Sequence, residues 1–305
     1  MKKVILLILL ILSLLSASAQ DTLRDNARVR RNVGIVLGSE AALYAASMTG
    51  LYFAWYADYP QTNFHFYNDN AEWLLMDKAG HFATSYIVGS FGYELLRDAG
   101  LDETRSIWYG GTLGLAFLTT VEVFDGFSDG WGFSWGDMAA NTLGSAMFIG
   151  QQYLWHEQRI TVKYSFHTTH FADIRPDLLG ENFIQQTIKD YNGITIWASC
   201  NIKSLFMSHT EESKFPAWLN FAVGYGATGM TGAFDNGTYT FQDRSNPYYN
   251  RERQLFLSLD VDFTKIPTNN KFLKYTFKVL NIFKVPFPTL EYNTGNEWVW
   301  HWIYF

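Results

Sequence analysis

Three stretches of the chain place acidic, basic and imidazole side chains inside sequence that is otherwise apolar. The first, MDKAGHFATSY, puts Asp77 and His81 four residues apart. In a helix, residues at this spacing lie on one face, one turn apart. The second, TTVEVFD, carries Glu122, and the third, SWGDMAAN, carries Asp137. Burying an unpaired charge is costly, so these groups must be paired, hydrated or functional.

We predict that these four side chains converge on one polar pocket and form a candidate catalytic set. Two chemistries fit the donors. A carboxylate–imidazole pair could act as acid and base, or the oxygen and nitrogen atoms could hold Zn, Mn or Mg. No standard zinc motif, G-x-S-x-G elbow or phosphate-binding glycine loop occurs, so the metal and any cofactor stay unassigned. Four further polar residues are expected to support the set: Lys78, Asp125, Ser134 and Asn141.

Structural explanations compete for the residues near the third stretch. Ser134 and Asp137 have the spacing of a capping box at the start of a helix, in which the acid replaces glutamate. Asp125 precedes Gly126, which is typical of a helix end. These residues could therefore serve the helices alone.

Similar alternatives exist for the first stretch. Asp77 and Lys78 could form a surface ion pair, which contributes less than about 1 kcal/mol. His81 could be a core histidine that donates to a carbonyl. Glu122 is the hardest to explain structurally, because its neighbours in TTVEVF include no cation.

The apolar pattern of the first half predicts helices. Asp69 with Glu72 three residues later indicates the N-cap of the second one. Small residues recur inside the helices at spacings of three or four, which is typical of closely packed helix pairs, in membranes above all. The four predicted helices cover about residues 32–56, 70–97, 106–124 and 134–156.

After residue 157 the apolar period shortens to about two residues, which is typical of strands. The alternation is clearest at 160–166, 219–225 and 255–263, aromatic residues alternate at 298–305, and a short helix is expected near 182–190. Residues 272–284 carry lysines among apolar residues and predict a basic amphipathic helix. Such a helix could lie on an anionic membrane or simply present a solvated face.

The sequence therefore predicts a mainly α fold. Residues 28–157 are expected to form a four-helix, membrane-associated bundle. Residues 158–305 are expected to form a mixed α/β region with a few antiparallel strands.

The first 19 residues have the pattern of an export signal. Lys2 and Lys3 precede a short apolar run that ends in Ala-Ser-Ala, so cleavage is expected after Ala19. The only cysteine, Cys200, lies far from that site, which excludes a lipid anchor there and an intramolecular disulfide. We expect an exported protein in the periplasm or associated with the outer membrane, with the inner membrane as an alternative.

The composition of the chain limits the kinds of partner that the protein could bind. The net charge of −6 and the scattered basic residues argue against nucleic acid. Aromatic residues make up 18% of the chain, a surplus that suits a membrane interface. We expect a membrane lipid or an envelope protein as partner, and the sequence sets no oligomeric state.

The motifs also resemble a known family in their order and spacing. DKAGHF, then EVFDG, then SWGDMAANTLG are similar to the YfiM-like family of periplasmic lipoproteins, a domain of unknown function, over about residues 70–155. A more distant similarity is to the VanZ-like membrane proteins. The resemblance implies a place in a Gram-negative envelope rather than a reaction. Members described as lipoproteins carry a cysteine after the signal, and this chain does not.

Two functions follow from these patterns. The first, which the sequence favours, is a structural or interaction protein of the envelope whose polar cluster ties the helices together. The second is a membrane-proximal enzyme that acts on an envelope lipid or a cell-wall precursor. Convergence of the four side chains would favour the enzyme, and side chains that point to separate surfaces would exclude it.

Overall fold

The computed structural model describes residues 2–57, 59–207, 214–236 and 250–305, with the side chains of residues 2–25, 54 and 55 left out. The predicted cleavage site at 17–19 lies outside the described side chains. The first half of the chain is helical. Its α-helices are α1 Lys2–Leu51, α2 Met76–Asp98, α3 Glu103–Gly111, α4 Leu113–Gly126 and α5 Trp135–Trp155.

The second half forms an antiparallel sheet in which each strand pairs with the next along the chain. Its strands are β1 Ile160–Phe166, β2 Ile194–Asn201, β3 Leu219–Thr228, β4 Glu252–Val261, β5 Phe287–Asn293 and β6 Trp298–Tyr304. The helices between them are α6 Phe171–Ile174, α7 Pro176–Leu179, α8 Phe183–Lys189, α9 Ile202–Phe206 and α10 Lys271–Leu280.

The prediction of a mainly α fold built on a four-helix bundle is wrong, because the described residues form a mixed fold with a continuous six-stranded sheet. Strands β2 and β5 were not predicted from the sequence. Strand β2 is buried along nearly its whole length, so its apolar and polar residues do not alternate between core and water. The predicted third helix is two helices, α3 and α4, which meet at Thr112.

The start of α2 also differs from the prediction. The helix begins at Met76 rather than near residue 70, since Trp73, Leu74 and Leu75 have φ of 46°, 52° and 70°. This left-handed region costs an L-residue roughly 1–2 kcal/mol. The second half of the chain holds the turn in place: Trp73 N donates to the carbonyl of Ala233 over 2.7 Å, and the Tyr225 hydroxyl donates to the Leu74 carbonyl. A strained turn thus leads directly into the first polar stretch.

Glycines bring α2 into backbone contact with α3 and α4, which confirms the predicted close packing. A Cβ atom on Gly114 would lie 2.2 Å from the carbonyl oxygen of Ser85, and one on Gly110 would lie 2.1 Å from the backbone nitrogen of Tyr93. Neither position accepts a larger residue without movement of the backbone. This close approach places the polar faces of α2 and α4 side by side.

The sheet has one apolar and one polar face. On β1 and β2, the apolar face packs against α2 and α5, where Val162 and Ile196 join a core with Tyr86 and Phe148. Most side chains of the polar face are buried on strands β1 to β4. Its central contact is an ion pair between Lys163 on β1 and Asp260 on β4, 2.8 Å apart although these strands are not neighbours.

In the described part of the chain, one helical stretch is long and apolar enough to cross a membrane, Glu103–Gly126. A third of its most apolar window is buried against the rest of the protein. Core helices of soluble proteins share this property, so length and composition alone do not assign a membrane span.

Candidate acid–base site

Helices α2, α4 and α5 bring the predicted site residues together. Helix α2 contributes Asp77 and His81, the last turns of α4 contribute Glu122, and the first turn of α5 contributes Asp137. The structure therefore places all four predicted catalytic residues in one cluster, together with the supporting residues Lys78, Ser134 and Asn141. Whether any of them is catalytic stays a prediction.

Lys78 supplies the fixed positive charge of the cluster. Its Nζ lies 2.7 Å from Asp69 Oδ1, 3.2 Å from Asp77 Oδ2 and 3.1 Å from Asp137 Oδ1. The side chain of Lys78 is largely buried, so the Asp77–Lys78 contact is part of an enclosed network rather than a surface pair. Three carboxylates share one ammonium, which leaves the cluster with excess negative charge.

His81 lies between two acids. Its Nδ1 is 3.0 Å from Asn141 Oδ1, and since an amide oxygen can only accept, this contact is a hydrogen bond in the tautomer that carries its proton on Nδ1. Its Nε2 is then unprotonated in the neutral ring, and it lies 3.8 Å from Asp77 Oδ1. Glu122 Oε1 lies 3.6 Å from Nδ1. His81 and Asp77 are the members of this group that solvent reaches, with side chains 16% and 21% exposed.

At the N-terminus of α5, Glu122 takes the place in the capping box that the sequence predicted for Asp137. The Ser134 hydroxyl accepts from Asp137 N over 3.1 Å, so Ser134 caps α5 as predicted. The acid that accepts from Ser134 N, over 3.0 Å, is Glu122 through Oε2. Its other oxygen, Oε1, and the Asn141 amide nitrogen are buried with no hydrogen-bond partner among the described residues.

Burial controls the protonation of these acids. It raises the pKa of Glu122 to about 8, with an opposing effect of His81. Burial and the charge of Asp77 raise the pKa of Asp137 to about 9. Burial alone would also raise the pKa of Asp69, but hydrogen bonds from Asp137 and Lys78 lower it below its usual value. One acid of this pair thus stays ionised beside the ammonium while the other holds a proton.

Asp125 stands apart from this network. It lies in the last turn of α4, and its Oδ1 accepts a hydrogen bond from the Tyr56 hydroxyl over 2.7 Å. Burial raises its pKa to about 7. The supporting role predicted for Asp125 is therefore indirect, through the charge it places near the cluster.

Two residues of the cluster were missed from the sequence. Asp69 was assigned to a helix cap, yet it binds Lys78 and accepts a hydrogen bond from the Ser134 hydroxyl over 2.6 Å. Tyr191, from the loop before β2, donates to Asp77 Oδ1 over 2.9 Å. Asp69 could have been identified from the sequence as an acid beside an aromatic-rich segment. Tyr191 could not, because no sequence signal links it to residues more than a hundred positions away.

The donor set could also hold a metal ion. Among the described residues, one atom each from Asp77, His81 and Asp137 lies within 4.8 Å of the others. In this structure the Lys78 ammonium contacts both of those acids and offsets part of their charge. The metal alternative stays a prediction, and no cofactor is assigned.

This fold and site define a class of protein. In it, a helical unit with a buried acidic cluster packs on the apolar face of an antiparallel sheet. Residues 65–151, which span α2 to most of α5, match the family described as "Predicted periplasmic lipoprotein (DUF2279)". The YfiM-like resemblance is thereby confirmed over this segment, whereas the VanZ-like similarity stays a prediction.

The family description also confirms the predicted location, an exported protein of the periplasm or envelope. No curated protein and no solved structure matches the chain. The single cysteine of the sequence, Cys200, lies buried in β2.

Proposed function

We propose that this envelope protein is an enzyme whose polar cluster performs acid–base catalysis on an envelope lipid or a cell-wall precursor. The observation that carries the proposal is the convergence on His81, which lies within 3.8 Å of Asp77 and 3.6 Å of Glu122. An acid–imidazole group with one solvent-accessible edge is a typical proton-transfer site.

A second buried polar network in the same protein offers a comparison for the cluster at His81. Inside the sheet, Asp260 accepts from Lys163 and from the Ser199 hydroxyl, and Asn220 donates to Ser199. None of these buried side chains has an unpartnered polar atom among the described residues. The cluster at His81 differs, because Glu122 Oε1 and Asn141 Nδ2 lack partners. Unsatisfied buried atoms destabilise a fold, and functional sites are where they are tolerated.

The geometry assigns roles within this proposal. His81 accepts a proton at Nε2, since Asn141 holds the proton of Nδ1. Asp77, fixed by Tyr191 and Lys78, lies beside Nε2 and stabilises the imidazolium that results. Glu122 is a positioning residue, because it is only 1% exposed and acts on the ring from behind.

Exposed aromatic rings near the cluster support an amphiphilic substrate. Phe66 and Trp135 stack with their centroids 6.0 Å apart, and both are more than half exposed. Trp135 directly follows Ser134, which binds Asp69 of the cluster. Such rings bind apolar chains while the polar part of the molecule stays in contact with water.

The test is turnover by the purified protein. We expect incubation with an envelope lipid extract and with lipid-linked cell-wall precursors to change the mass spectrum of one species. His81→Gln should abolish that change, because glutamine cannot take the proton. His156→Gln, an exposed histidine at the end of α5, is the matched control and should keep full activity.

Melting temperatures would show that both variants fold. Turnover that survives in His81→Gln would contradict the proposal, as would the absence of turnover in every fraction tested.

The structural alternative has one specific observation in its favour. Lys78 joins the loop at Asp69, helix α2 and helix α5 through three ion pairs. If the cluster only holds these elements together, substitution of Lys78 should impair the protein in the cell and substitution of His81 should not.

A further inference from the structure

The apolar face of the sheet continues beyond the helices and is exposed there. We call this exposed part the sheet face. On β4 every second side chain, Leu255, Leu257 and Leu259, is about half exposed, while the alternating side chains Phe256 and Ser258 are buried. The sheet face consists of the exposed residues Val223, Leu255, Leu257, Leu259, Trp298, Trp300 and Trp302 and the half-buried residues Leu290 and Tyr292.

The strand register makes the sheet face contiguous. Leu257 is paired with Val223 of β3 on one side and with Leu290 of β5 on the other. Leu290 is paired in turn with Trp300 of the edge strand β6, whose neighbours Trp298 and Trp302 lie on the same face. These side chains therefore form one surface across four strands rather than scattered apolar residues.

This surface is the continuation of an interface inside the protein. Val223 is paired with Ala198 of β2, which is paired with Val162 of β1. Val162 is almost fully buried because α2 and α5 cover it. The helices thus cover the apolar face over β1 and β2 and leave it open over β4 to β6, where an apolar surface of this kind marks an interaction site.

We infer that the sheet face docks on the surface of a lipid bilayer. The chemistry of the face favours lipid over a protein partner. Among the nine residues that define the sheet face, the polar side-chain atoms are limited to one phenol hydroxyl and three indole N–H groups, whereas protein interfaces carry regular hydrogen bonds among apolar contacts. The indoles sit on the edge strand, as expected where a protein enters the headgroup region.

Charge on the sheet face fits the same partner. The outward positions of the described strands β3 to β6 carry one charged residue, Arg253, and no acid. An arginine at the end of an apolar strip can bind lipid phosphate while the leucines and tryptophans enter the interface. The confirmed envelope location supplies the bilayer. The inference is independent of whether the His81 cluster is catalytic.

Vesicle flotation tests this inference. We expect the exported, purified protein to float with vesicles of phosphatidylethanolamine and phosphatidylglycerol, and brominated lipids to quench its tryptophan fluorescence. The double variant Leu257→Gln with Trp300→Gln should weaken vesicle binding by about tenfold or more, because both side chains are exposed and their loss removes apolar contact with lipid. Ile184→Gln, at an even more exposed apolar position on α8, is the control and should bind as the original protein does.

Three results would overturn the inference. The first is a protein that stays in solution without vesicles attached. The second is a double variant that floats as well as the original. The third is an original protein that is dimeric in ultracentrifugation while the double variant is monomeric. A second copy of the chain would then cover the sheet face. The melting temperature of each variant would exclude unfolding as the cause.

Discussion

Lys78 is the residue on which the electrostatics of the cluster depend. Asp69, Asp77 and Asp137 all lie within 3.2 Å of its Nζ. Burial opposes the charge of Lys78, but Asp77 and Asp137 outweigh this effect and raise its pKa. The lysine is therefore a permanent cation at any pH the envelope experiences.

Replacing Lys78 by methionine should lower the free energy of unfolding by roughly 3–5 kcal/mol, because enclosed acids would lose their counterion. Urea denaturation measures the loss. Adding Asp69→Asn should restore part of it, since the acid that stays ionised beside Lys78 is then removed. Lys271→Met, at an exposed site on α10, is the control and should change stability by less than about 0.5 kcal/mol. A Lys78→Met protein as stable as that control would contradict the assignment.

Glu122 should make stability depend on pH. Its pKa is about 8 in the folded protein, against an ordinary value of 4.5. Between these values the folded state holds a proton that the unfolded state has lost. The free energy of unfolding should therefore fall as pH rises through this range, by up to roughly 1.4 kcal/mol per pH unit from this group.

Glu122→Gln should flatten this decline, because glutamine has no proton to lose. Denaturation curves at about pH 5, 6, 7 and 8 would show it. Asp137, whose pKa is also raised, should leave a residual slope. Glu181→Gln, at an exposed position, should decline as steeply as the original protein. Equal slopes in both variants would rule out a buried proton on Glu122.

At the scale of elements, glycine contacts fix the distance between α2 and α4. Gly114→Ala should destabilise the protein by several kcal/mol, because the added carbon would lie 2.2 Å from the Ser85 backbone and the helices would have to separate. Gly150→Ala on α5 is the matched control. Nothing lies within 4 Å of its added carbon, so it should raise stability by up to about 1 kcal/mol.

Thermal unfolding of the two variants would measure these opposite effects. A Gly114→Ala protein as stable as the original would mean that α2 and α4 are not held at this distance. The same separation would also pull Glu122 away from His81, so loss of stability and loss of turnover should occur together in this variant.

The whole molecule is organised around a sheet whose polar face is inside. Lys163 and Asp260 are fully buried on the polar face, while leucines of β4 and tryptophans of β6 are exposed on the apolar face. Helices α2 and α5 cover one part of the apolar face and thereby set the cluster next to the sheet. The sheet half of the chain holds the site in place through two hydrogen bonds. Tyr191 donates to Asp77, and Tyr225 donates to the Leu74 carbonyl.

Local signals in the sequence determined much of the site. Spacing alone placed Asp77 and His81 on one face of a helix, and the cap at Ser134 followed from its side chain, which competes locally for backbone donors. The apolar run with an Ala-Ser-Ala end indicated export, and the motif order indicated the family. These features depend on residues close together in the chain.

Only the tertiary structure decided the rest. The pairing of Glu122 with the Ser134 backbone, the three acids around Lys78 and the arrival of Tyr191 join residues far apart in sequence. The sheet was missed for a related reason. In β2 the apolar residues Ile194 and Ile196 alternate with polar residues such as Thr195 and Ser199, but both sets are buried, because strands and helices pack on both sides of the strand. Burial, which decides both the protonation of the acids and the faces of the strands, is a property of the folded molecule.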